Sequence, residues 1–151
     1  MPLSSGCNHV TTITGDIDRL IGFYRRVFDA EVIFEQDEGD LRHAGLDLGG
    51  GFFLHPFQFR ERNPNATPSD AMFHRGHIDH FALNFTRPED FAEARRRLVA
   101  EGATAGNMRD FGMFRIVSFR DPDGMSAEIG LHADGPALTL EESSVEIFAE
   151  A

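Results

Sequence analysis

The chain has 151 residues, 41% hydrophobic and 26% charged, a globular composition sufficient for one domain or for two half-size modules sharing a core. Its net charge of −11 and pI near 4.9 would repel phosphate backbones, which excludes a nucleic-acid surface and suits a cationic small molecule. No apolar run reaches the roughly 18 residues of a membrane span. The N-terminal residues lack a secretory signal's basic start and apolar core, and the single Cys7 cannot form an internal disulfide, so a reducing cytoplasm is the expected compartment.

His9 to Thr14 is short, alternating and β-branched, and Gly15-Asp16 closes it with turn chemistry, which predicts a first strand. Leu20, Phe23, Tyr24, Val27 and Phe28 then fall at helical spacing, predicting a helix over about 17–29 with Asp16 or Asp18 as its cap. Strands are expected at Glu31–Gln36, Leu41–Leu48 and Phe52–Phe59, so residues 7–60 read as a βαβββ module. Residues 61–76, rich in Pro and Asn, have linker composition.

The same order returns over residues 77–133. His80–Thr86 reads as a strand, and Pro88 stands where a helix start tolerates its missing N–H. Phe91, Ala94, Leu98 and Val99 form the buried stripe, Arg95, Arg96 and Arg97 read as solvated charge, and Gly102 ends the helix. Strands near Thr104–Asp110, Met113–Arg120 and Met125–His132 follow, the last two joined by the turn Asp121-Pro122-Asp123-Gly124. The acidic stretch 134–151 carries Leu138, Leu140, Val145, Ile147 and Phe148, and reads either as a mobile tail or as an arm packing on a partner.

The two modules match in register. His9 and His80 open equivalent strands (80 − 9 = 71), and a shift of two residues pairs His55 with Glu128 (128 − 55 = 73). Because strand side chains alternate, His9 shares its face with Thr11, and His80 with Asn84. Two imidazoles and a carboxylate suit Fe, Mn, Ni, Co or Zn as a divalent ion, leaving positions open to a substrate. His9, His80 and Glu128 are the candidate ligands, with His55 a weaker fourth. His77 competes with His80 for its place, and His43, His74 and His132 read as surface histidines. Phe53 and Phe57 flank His55 and, with Phe52, Phe59, Phe73, Phe111 and Phe114, could wall an apolar or aromatic substrate.

Asn8-His9-Val10-Thr11, the run Asp18-Arg19-Leu20-Ile21-Gly22-Phe23-Tyr24 followed by Phe28-Asp29-Ala30, and the Asp-Pro-Asp-Gly turn leading to Glu128 resemble the vicinal oxygen chelate superfamily. Its members include glyoxalase I, extradiol dioxygenases, fosfomycin-resistance thiol transferases and bleomycin-binding proteins. The resemblance spans about residues 7–133. It implies an α+β fold in which two βαβββ modules build a cup-shaped mixed sheet as a single domain, a divalent metal on His9, His80, Glu128 and His55, and a homodimer. Glyoxalase-type isomerases commonly carry glutamate where this chain has His55, while fosfomycin-type transferases use two histidines and one glutamate and a threonine like Thr11. The expected activity is metal-dependent isomerisation, lysis or dioxygenation of a small molecule chelated through vicinal oxygens. The alternatives are a metal-free drug-binding protein and a fosfomycin-type thiol transferase.

Overall fold

The structure, a computed structural model, describes residues 7–60, 78 and 80–149. The chain divides into two compact units, Met1–Pro68 and Ser69–Ala151. The expected linker over 61–76, with Phe73 and His74, lies outside the described residues, as does His77. The fold is α+β, each unit a mixed sheet with one helix, and no helix among the described residues is long and apolar enough to cross a membrane.

In the first unit β1 (His9–Ile13), α1 (Ile17–Phe28), β2 (Glu31–Asp37), β3 (Leu41–Asp47) and β4 (Phe53–Phe59) give the expected βαβββ. The sheet order is β1-β4-β3-β2, with β1 parallel to β4 and the other pairs antiparallel. Asp16 rather than Asp18 caps α1, its carboxylate accepting the Arg19 N–H at 3.0 Å. Asp18 instead accepts both terminal nitrogens of Arg42 from β3, at 2.7 and 2.8 Å. Gln58 pins the helix start from β4, accepting the Ile17 N–H and donating to the Gly15 carbonyl. The predicted stripe is buried: Leu20, Phe23, Tyr24 and Val27 pack with Ala44, Leu46 and Leu54 in the core. Each such side chain removed from water contributes about 1.5–3 kcal/mol.

In the second unit β5 (Phe81–Phe85), α2 (Pro88–Ala100), β6 (Met108–Asp110), β7 (Phe114–Arg120) and β8 (Ser126–His132) repeat the order. Phe91, Ala94 and Leu98 of α2 are buried with Leu83, Val117, Ala127, Ile129 and Leu131. The Asp-Pro-Asp-Gly turn is held by Asp121, whose carboxylate accepts the N–H groups of Asp123 and Met125. Gly124 in that turn takes a φ of 80°.

Three expectations are corrected here. The strand predicted from Thr104 begins only at Met108, because Thr104 accepts the Gly106 N–H in a local turn and Gly106 has a φ of 78°. Arg95 is not solvated like Arg96. Its side chain is 11% exposed, donates to the Gly106 carbonyl and to Glu146 (2.9 Å), and lies 5.0 Å from the Phe148 ring centroid. The C-terminal stretch is not a free tail over its described residues, since β9 (Ser144–Glu146) pairs antiparallel with β6 as a fifth strand, giving the order β5-β8-β7-β6-β9. Ahead of β9, Gly112 and Gly135 let two backbones touch, and the Leu138 N–H donates to the Phe111 carbonyl at 2.9 Å.

Candidate metal and substrate site

Each unit has a sheet face turned away from its helix, and the candidate residues stand on those faces. In β1, His9, Thr11 and Ile13 are exposed while Val10 and Thr12 are partly covered. In β4, Leu54 and Pro56 are buried, and Phe53, His55 and Phe57 occupy the alternate positions. Thr11 pairs with His55, and His9 with Phe53. In the second unit Ala82 pairs with Glu128 and Asn84 with Gly130. The offsets of 71 and 73 read from the sequence therefore describe one register occurring twice.

In the second unit the structure brings His80 and Glu128 together, with His80 Nε2 3.6 Å from Glu128 Oε2. Ser118 of β7, opposite Glu128, donates its hydroxyl to the other carboxylate oxygen at 3.1 Å. Glu128 is only 18% exposed and His80 44%, so the carboxylate is the anchored partner. Glu128 separates two hollows. One of about 380 Å³ is lined by His80, Ser118, Arg120, Ser126 and Glu128 together with the apolar Ala103, Phe119 and Ala127. The other, about 460 Å³, is apolar and lined by Phe111, Met113, Phe114, Ile116, Gly130 and Leu138, with Asn84 and Glu128 as its polar members.

The donor set suits a divalent ion. Two ligands each about 2.1 Å from one ion at tetrahedral angles stand about 3.4 Å apart, close to the His80–Glu128 separation. Ser118 would then orient the carboxylate from behind. Among the described residues no three His, Cys, Asp or Glu side chains form a ready cage.

The first unit carries a ring cluster instead. His9 stacks on Phe53 (centroids 5.0 Å, planes 19° apart) and lies 5.9 Å from the His55 ring. Phe57 meets His55 edge-on at 4.6 Å, and Phe34 does so at 5.1 Å. His43, expected on the surface, belongs to this cluster: its side chain is 12% exposed and its Nδ1 is 2.9 Å from His55 Nε2, one nitrogen donating and the other accepting. Burial first, then the neighbouring His43 and His9, hold the His55 imidazole below its ordinary pKa, so it favours the neutral form.

Thr11 and Asn84 are both exposed on these faces. His43, Phe34, Ser118, Gly130 and Leu138 belong to these faces and hollows and were not among the expected site residues. Antiparallel pairing sets His43 opposite Phe57 and Ser118 opposite Glu128, a signal that opens only once the hairpin registers are fixed. Phe34 depends on a bulge between Val32 and Phe34 and on Gly45, where any Cβ would run into the Phe34 ring.

The family model of the Glyoxalase/Bleomycin resistance protein/Dioxygenase superfamily matches residues 6–129. A glyoxylase/bleomycin resistance protein/dioxygenase domain from Frankia sp. EAN1pec is 21% identical at a TM-score of 0.70, over 88% of this chain and 96% of that one. The fosfomycin resistance protein FosX from Listeria monocytogenes, complexed with Mn(II) and sulfate, is 22% identical at a TM-score of 0.59, over 93% and 98%. These two likenesses show the fold alone. The monoclinic form of FosX at pH 5.75 aligns at 26% identity with a TM-score of 0.59, over 93% and 97%. No curated protein matches the chain.

Proposed function

Because the chain belongs to the Glyoxalase/Bleomycin resistance protein/Dioxygenase superfamily, we propose that it is a metal-dependent enzyme of the glyoxalase or dioxygenase type, acting on a small apolar or aromatic molecule through two vicinal oxygens. His80 and Glu128 are the first two ligands in this reading. His9 is the third by its equivalence of register to His80, and His55 is a fourth donor or the group that moves a proton. The carrying observation is the imidazole–carboxylate pair at 3.6 Å, its carboxylate backed by Ser118 and standing at the edge of an apolar hollow. A divalent ion held there supplies a Lewis acid that stabilises negative charge developing on substrate oxygen. The chain's own contribution is to orient the carboxylate and to offer Phe111, Phe114 and Leu138 to the apolar part of the substrate. A cytoplasmic homodimer completes the reading, in keeping with the lone Cys7 and the family resemblance.

The test is metal content in protein purified without added metal, alongside His9→Ala, His80→Ala and Glu128→Gln. A stoichiometric divalent ion lost in all three variants is expected. Protein that takes up no metal yet binds a cationic drug tightly would overturn the enzyme reading in favour of drug sequestration. A second reading, thiol transfer to a phosphonate of the fosfomycin type, is favoured by Arg120, which lines the smaller hollow with His80, Ser118 and Ser126. Turnover of fosfomycin with a thiol, lost in Arg120→Met with metal retained, would select it.

A further inference from the structure

The apolar hollow of the second unit owes its existence to one glycine and to the C-terminal segment. Gly130 sits on β8 in register with Asn84, as Phe57 sits on β4 in register with Ile13. The two positions are equivalent by the same offset that relates Glu128 to His55. In the first unit that place is filled by the Phe57 ring, packed edge-on against His55. In the second it is bare. No backbone requirement explains the glycine, for Gly130 has no positive φ. A Cβ built on Gly130 would meet only ordinary contacts, Ile116 and the Leu83 carbonyl at 3.9 Å each. Nearby, Phe111, Phe114, Ile116 and Leu138 line an apolar hollow of about 460 Å³ with Glu128 at its edge. That volume is within the range of small-molecule pockets.

We propose that the ligand supplies the missing ring. The second unit binds a flat aromatic group where the first unit keeps Phe57, with Gly130 as the specificity-determining opening and Leu138 as its outer wall. Leu138 is held to that wall by its hydrogen bond to the Phe111 carbonyl and by the close approach of Gly112 to Gly135 and Pro136. The C-terminal stretch is thereby part of the binding site. The orientation of the ring follows from the polar edge: the substituent bearing oxygens points to Glu128 and the ring toward Ile116. That orientation rests on the metal reading above, whereas the ring pocket itself does not.

Phenol serves as a one-ring probe without vicinal oxygens, 2-naphthol as a two-ring probe and glycerol as an oxygenated probe without a ring. Each is titrated into metal-stripped, methyl-labelled full-length protein, with shifts followed at Ala82, Met113, Ile116 and Leu138. Saturable shifts with phenol and none with glycerol are expected. Gly130→Phe and Leu138→Trp, which fill the hollow from opposite sides, should each weaken phenol by about tenfold or more. Leu138→Ala should improve 2-naphthol relative to phenol. Thermal melts of both filling variants identify any that fail to fold, and the remaining one decides. Phenol shifts that are absent, or that persist undiminished in a folded filling variant, overturn the proposal. Because metal is absent from this experiment, such a failure leaves the ligand assignment standing, and a failure of metal binding leaves the ring pocket standing.

Discussion

Gly112→Ala is the perturbation that most directly weighs the C-terminal segment. Gly112 has a φ of 76°, and a Cβ there would fall on the Pro136 carbonyl oxygen and against Leu138. The left-handed backbone costs an L-residue roughly 1–2 kcal/mol. A backbone carbonyl cannot rotate aside, so residues 135–138 must lift. Lifting loses the Leu138–Phe111 hydrogen bond, worth about 1 kcal/mol, and part of the Leu138 contact, about another 1 kcal/mol. Gly102 is the internal control, with a φ of 71° and nothing within 4 Å of its Cβ, so Gly102→Ala incurs the backbone term alone. Urea unfolding followed by circular dichroism should show Gly112→Ala about 2 kcal/mol less stable than Gly102→Ala. In thermal melts that gap corresponds to about 4–8 °C for a chain of this size. Gly135 approaches the same backbone from the other side. Adding Gly135→Ala to Gly112→Ala should therefore cost much less than Gly135→Ala alone, since the segment is already displaced. Equal losses for Gly112→Ala and Gly102→Ala would refute a docked C-terminal segment.

Two further outcomes follow from the same geometry. Ser118→Ala removes the hydroxyl that donates to Glu128, and should weaken metal affinity by about tenfold or more while leaving the melting temperature nearly unchanged; chelator competition reads the affinity. Asp18→Asn tests the ion pair that ties α1 to β3. Hydrogen bonds from Arg42 hold the Asp18 carboxyl below its ordinary value of 3.8, so the folded state binds its proton less readily than the unfolded chain. The stabilisation is fully present above the ordinary carboxyl range, begins to fade as pH falls below about 3.8, and is gone only once pH has passed through the lower value of the folded state. Since Asp18 is 73% exposed, the wild-type advantage over Asp18→Asn at neutral pH should be no more than about 1 kcal/mol, narrowing in acid and in high salt.

The architecture was legible because its signals are periodic. The stripe from Leu20 to Val27 repeats at helical spacing and is buried, and the strand alternation places His55 and Glu128 on faces opposite Leu54 and Ile129. What escaped lacks a period. Strand β9 has three residues, all exposed, so neither alternation nor burial marks it in the sequence. Arg95 stands four residues after Phe91, on the flank of the helical stripe, where a long side chain can cover apolar surface or extend into water. The Gly106 carbonyl and the return of Phe148 and Glu146 decide between them. His43 was hidden for another reason. A single polar residue in a strand declares its face only once the hairpin register is known, and here the bulge in β2 and the pairing of β3 with β4 set it.

The duplication also shows how one register has come to hold two different surfaces. Along β4 the positions on the face away from the helix are Phe53, His55 and Phe57; along β8 their equivalents are Ser126, Glu128 and Gly130. Each exchange replaces an aromatic ring by something smaller or charged. In the first unit the β4 positions pack ring against ring, which buries His55 enough to favour the neutral imidazole. The second unit leaves volume above Gly130 and a carboxylate beside it, held by Ser118. Two consequences differ in sign. Substitutions that shrink a ring in the first unit open a cavity in a packed cluster and should lower stability. Substitutions that enlarge Gly130 fill space that already exists, so they should spare stability and remove ligand binding. Stability and binding are thus assigned to opposite members of the repeat, and a scan of the paired positions Phe57 and Gly130 by melting temperature and by phenol titration separates them.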